Sequence, residues 1–192
     1  GIVVWDSGGN EEANSVRIQA DGKIVVGGYR ASQGGGTGKD FIVLRYDWYG
    51  NPDFTFGPGA GGFAVSDLGG SDIAFSVLIQ PDGRIVLAGQ SYDGTSYWFA
   101  AARYDGLGMP DGTFNNLGYV KSLIGSSSLC TSAGLQSDGK IVLAGKASLN
   151  GTDNDFAVLR YLSNGTLDPY FGTLGGALTT PFGAGDDEAF AM

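Results

Sequence analysis

Apolar residues in this chain come in short runs of Val, Ile, Leu and Ala, cut off by Gly, Asp, Asn and Pro. One arrangement recurs. Two apolar runs flank an Asp-Gly pair in Ser15–Gly28, Ser76–Gly89 and Ser132–Gly145. The runs are too short for helices and rich in β-branched residues, so they predict strands. Asp-Gly between them predicts a tight hairpin, of type I′ if both central residues take positive φ. A second run follows in step: Asp40–Tyr46, Trp98–Tyr104 and Asp155–Tyr161, each closing on Arg-Tyr. A polar turn comes next at Asn51–Gly57, Met109–Asn115 and Leu167–Gly172, then a last short run at Gly62–Leu68, Gly118–Leu123 and Gly176–Thr180.

The glutamines that open the hairpin turns, Gln19, Gln80 and Gln136, are 61 and 56 positions apart. That period is close to the longer propeller blades. The pattern predicts an all-β fold: a β-propeller segment of three four-stranded antiparallel blades, with partial strands at both ends. Residues 1–10 match the last strand of a preceding blade. Blade 1 covers 11–70, blade 2 covers 71–126 and blade 3 covers 127–184, and 185–192 match the start of a further blade. Propellers close with about four to eight blades, because fewer leave sheet faces and edges uncovered. The expectation is a piece of a longer chain closed by its further blades, or two copies joined in a six-bladed ring.

These motifs closely resemble the delta-60 repeat family, a bacterial propeller-type repeat. Its pattern runs Gln-Pro-Asp-Gly-Lys-Ile-Val-Val-Ala-Gly, then Asp-Phe-x-x-x-Arg-Tyr, then Gly-x-Leu-Asp-x-x-Phe-Gly. The resemblance covers nearly the whole chain and is tightest over 76–89, 132–145 and 155–172. The second repeat departs where Asn115 replaces the turn glycine. The resemblance implies secreted or cell-surface bacterial proteins and brings no catalytic residues.

Composition narrows the function. The 35 glycines have no Gly-X-Y period and there are only 6 prolines, which excludes collagen. A net charge of −9 disfavours nucleic acid and anionic membranes as partners. No apolar run reaches the roughly 18 residues of a membrane helix. The chain has no histidine, which removes a Ser-His-Asp triad and His-based metal sites. The single cysteine, Cys130, sits in an apolar run and reads as a small buried hydrophobe. The glycine-rich stretch Gln33–Gly38 lacks the Lys-Ser/Thr ending of a phosphate loop.

Three sets of residues remain. Arg45, Arg103 and Arg160 each precede a turn aspartate, Asp53, Asp111 or Asp168, by eight residues. That constant interval predicts structural ion pairs pinning a strand end to its turn, over an anion-binding ring of arginines. Trp48, Tyr49, Tyr97 and Trp98, with Tyr92 and Phe99 beside the second pair, are aromatics for a ligand such as a sugar ring, against packing between blades. Trp48-Tyr49 lies in a turn and is the better of the two. The carboxylates of Glu11-Glu12, Asp153-Asn154-Asp155 and Asp186-Asp187-Glu188 match no calcium loop and read as solvated charge. The function expected is a non-enzymatic extracellular or cell-surface scaffold or binding module without a cofactor. Its partners would be further blades, another copy of itself, or a glycan or surface protein. The alternative is a carbohydrate-binding or glycoside-processing propeller.

Overall fold

The computed structural model describes residues 1–31, 38–181 and 185–190. The Gln33–Gly38 loop lies, up to Thr37, outside the described residues. Among the described residues, twelve strands form three four-stranded sheets. The first holds β1 (Glu11–Ile18), β2 (Ile24–Ala31), β3 (Lys39–Tyr46) and β4 (Phe63–Ser66). The second holds β5 (Ser71–Ile79), β6 (Ile85–Tyr92), β7 (Tyr97–Tyr104) and β8 (Tyr119–Ser122). The third holds β9 (Ser127–Leu135), β10 (Ile141–Ser148), β11 (Asp155–Tyr161) and β12 (Ala177–Thr180). Each sheet is an antiparallel meander in sequence order, which is the blade of a propeller. Residues 1–10, matched in sequence to the last strand of a preceding blade, form no strand here; Val3, Val4 and Trp5 line a cavity over the first sheet.

The Asp-Gly hairpins are not type I′. Gly22, Gly83 and Gly139 have φ of 85°, 85° and 83°, but Asp21, Asp82 and Asp138 keep negative φ. In each turn the glycine N–H donates to the glutamine carbonyl three residues back, at 2.9 Å. The aspartate Oδ1 accepts from the backbone N–H two residues on, Lys23, Arg84 or Lys140. This is a type I turn followed by a left-handed glycine, a three-residue hairpin with a bulge. The aspartate carboxylate, by holding the following N–H, favours αR at its own position and leaves positive φ to glycine alone.

The faces between sheets are packed with buried apolar side chains. Val25, Phe41, Val43 and Phe56 of the first repeat pack on Val77, Ile85, Leu87, Ala100 and Tyr104 of the second. Val86, Phe99, Ala101 and Phe114 of the second pack on Ile141, Leu143, Leu159 and Tyr161 of the third. Cys130 is fully buried there, and burial pushes its thiol up to about 12, so it is inert as a nucleophile. Antiparallel order puts the Asp-Gly hairpins and the β3–β4 type connections at one end of every blade. The β2–β3 type hairpins and the links between blades lie at the other.

Candidate functional site

The Arg-Asp pairs form in all three repeats. Nε of Arg45, Arg103 and Arg160 donates to Oδ2 of Asp53, Asp111 and Asp168 at 2.8, 2.9 and 2.9 Å. Burial raises the Asp53 carboxyl, but the Thr55 hydrogen bonds and the charges of Arg45 and Lys23 outweigh it and hold the group at about 2. Asp111 and Asp168 are also lowered, against their own burial, by hydrogen bonds and neighbouring cations.

Two further members of this cluster escaped the sequence reading. The cation after each Asp-Gly also reaches the turn aspartate: Lys23 at 3.4 Å, Arg84 at 2.8 Å and Lys140 at 3.6 Å. A phenylalanine, eleven residues after each arginine, lies under its guanidinium: Phe56 at 4.4 Å, Phe114 at 4.8 Å and Phe171 at 4.4 Å. Both signals were in the sequence as constant spacings.

The same arginines join the blades. Nη1 of Arg45 donates to Gly106 O at 2.6 Å, and that of Arg103 to Ser163 O, both in the next repeat. Beside them Gly57 N–H donates to Leu107 O at 2.7 Å and Asn115 N–H to Asn164 O at 2.8 Å. Asn115 reaches this geometry with φ 48°, so the departure from glycine leaves the joint intact. The Phe56 and Phe114 rings approach Gly108 and Gly165 so closely that a Cβ there would sit 2.7 Å from ring carbon. Tyr104 and Tyr161 hydroxyls meet Ser66 and Ser122 of the preceding repeat, each at 2.8 Å. Ser15 and Ser76 hydroxyls accept from Val77 and Ala133 N–H at 3.1 and 3.0 Å.

The outer faces carry the matching halves of this joint. On the third sheet these are Arg160, Phe171, Gly172, Thr180 and Ser132. On the first they are the Trp48 and Tyr49 carbonyls, Gly50, Tyr46 and Val16. Gly50 has Val3 Cγ2 at 3.3 Å from its Cβ position, where the inner joints have a phenylalanine ring. A cavity of about 500 Å³ lies on this face, lined by Val3, Val4, Trp5, Ile24, Val26 and Leu44 among others.

The aromatics divide. Trp48 and Tyr49 are 69% and 74% exposed, with ring centroids 4.3 Å apart. Tyr97 stacks on Tyr92 at 4.6 Å, and Trp98 is half-buried, its Nε1–H held by Asp93 Oδ2 at 2.9 Å. Phe99 is fully buried. The two groups sit at opposite ends of their blades and do not form one surface. The loop carboxylates are partnered locally: Glu11 with Ser7, Glu12 with Tyr29, Asp186 with Asn154 and Glu188 with Lys146. Among the described residues, one set of three carboxylates, Asp40, Asp67 and Asp72, offers oxygens all within 4.8 Å of one another. No local spacing announces it, because β3, the β4–β5 link and β5 each supply one member.

Repeated meanders joined face to face through one set of contacts define a β-propeller domain. The chain belongs to the DUF5122 β-propeller family, described as a domain of unknown function, whose model matches residues 19–56, 80–114 and 136–171. No curated protein matches the chain.

Proposed function

We propose that this chain is a non-enzymatic propeller scaffold, secreted or displayed at a bacterial cell surface, whose outer faces join to further blades of the same kind. The observation that carries this reading is the repeated joint. Arginine Nη1, the backbone N–H four residues after the turn aspartate, and a phenylalanine ring engage two successive carbonyls and a glycine of the next blade, at both inner junctions. The third blade presents the donor set and the first blade the acceptor set. Either another blade of a longer chain or a second copy fits between them. The likeness to delta-60 repeats supports the address, and the absence of histidine supports a role without acid–base catalysis by imidazole.

Sedimentation of the 192-residue chain across concentrations tests the joining faces. Self-association that Phe171→Asp abolishes is expected. A monomer at every concentration removes the second copy and leaves further blades as the occupant.

A second reading, carbohydrate binding, rests on Trp48 and Tyr49. Leu107, at the Tyr49 position of blade 2, stays 61% exposed although its carbonyl is inside a joint. The Tyr49 ring therefore remains open to a ligand even when the face is covered. A glycan array in which Trp48→Ala and Tyr49→Ala bind as the native chain does would end this reading.

A further inference from the structure

The two inner blade junctions share one architecture but differ in charge. At the second, Ser128 Oγ accepts from Ile124 N–H at 3.2 Å and so caps the turn between blades. At the first, Asp72 Oδ2 does the same for Leu68 N–H at 2.7 Å. A neutral hydroxyl is thus enough for the cap. Trp98 and Leu123 stand where the first junction has Asp40 and Asp67. The carboxylates at the first junction are therefore not required by the blade.

Their placement is costly. Asp40 and Asp72 are 5% and 0% exposed, yet their oxygens and that of Asp67 lie within 4.8 Å of each other. Like charges this close, taken out of water, repel strongly. The Oδ1 of Asp72 and the hydroxyl of Ser91, which faces Asp72 across the β5–β6 ladder and is itself 0% exposed, are both buried and meet no hydrogen-bonding group outside this pair. Among the described residues, two cations stand nearby. Arg30 Nε is 3.9 Å from Asp40 Oδ2, and Lys121 Nζ directs its hydrogen bond to Leu68 O at 2.7 Å.

We propose that Asp40, Asp67 and Asp72, with the Ser91 hydroxyl, bind a divalent hard cation of the calcium class at the junction of the first two blades. All the donors are hard oxygens, which suit calcium or magnesium and not the thiophilic metals. Oxygens about 2.4 Å from a calcium ion are at most about 4.8 Å apart, and the three carboxylates each offer an oxygen inside that limit. Asp67 is exposed and opens the site to water, which completes a coordination number of six to eight. The ion would join blade 1 to blade 2 at the end opposite the Arg-Asp-Phe clusters, where the second junction uses uncharged groups.

The test is calorimetric titration of the chelator-stripped full chain with calcium chloride, with thermal unfolding followed in parallel. A single site is expected, with Kd between about 10⁻⁵ and 10⁻³ M and an unfolding midpoint raised by about 3–6 °C at saturation. Asp67→Asn, at the exposed edge, folds as the native chain does and weakens calcium at least about tenfold. Asp72→Asn keeps an oxygen for Leu68 N–H and loses the calcium-dependent shift. No heat and no shift with calcium, or a native response in Asp67→Asn, overturns the proposal.

Discussion

The arginine of each of the first two repeats does three things with one side chain: Nε holds the turn carboxylate, the guanidinium face covers a phenylalanine, and Nη1 crosses to the next blade. Arg103 is 6% exposed and its partner Asp111 is 9% exposed. Removing Arg103 leaves Asp111 to Arg84 and Thr113 and breaks the contact to Ser163 O in the next blade. Arg103→Ala should destabilise the chain by about 2–4 kcal/mol, read from urea unfolding. Lysine at this position should recover little, because a point charge cannot span the three contacts. The aspartates also set the acid limit. An unfolded aspartate titrates near about 3.9. Asp53 in the folded chain titrates at about 2, so its stabilisation is complete above the unfolded value and is lost as pH falls toward the folded one. Acid unfolding followed by tryptophan fluorescence should therefore fall mainly below about pH 4. Asp53→Asn should flatten that limb while lowering stability at neutral pH.

At the scale of the strand and turn, much was written in the local pattern and some was not. Strand positions followed from short apolar runs between Gly and Asp, and the Arg-Asp pairs followed from a constant interval. The turn type did not, because Asp-Gly serves type I′ and bulged type I hairpins alike. What separates them is the carboxylate on the N–H two residues on, a contact that needs the turn already formed. The acidic trio was illegible for another reason: its members meet only when two sheets stack. Asn115 shows how a departure from pattern is absorbed. Its φ of 48° lies where asparagine is tolerated and branched residues are not. Asn115→Gly should leave thermal stability within about 0.5 kcal/mol of native, whereas Asn115→Val should cost about 1–2 kcal/mol. Equal midpoints for the two variants would mean that the joint tolerates another backbone geometry there.

Across the whole molecule, stability follows how many neighbours a sheet has. The second sheet is covered on both faces: Ile85, Leu87, Ala100 and Tyr104 on one side, Val86, Phe99 and Ala101 on the other. The first and third sheets each cover one face with a neighbouring sheet. Positions equivalent to buried ones are open at the ends, as Val16 at 53% exposure shows against Val77 at 0%. Repeat arrays of this kind gain stability from nearest-neighbour interfaces, so terminal units open first. Hydrogen exchange should show the amides of β6 and β7 slowest, with β2–β3 and β10–β11 faster on either side. The pattern also distinguishes how the outer faces are used. If copies join through Arg160 and the Trp48–Gly50 turn, raising the protein concentration should slow exchange in β2, β3, β10 and β11 together and leave β6 and β7 unchanged, because their faces are already sealed. Slowing confined to one end would mean that the two faces are not complementary, and the chain would then end in two separate partners rather than in a ring.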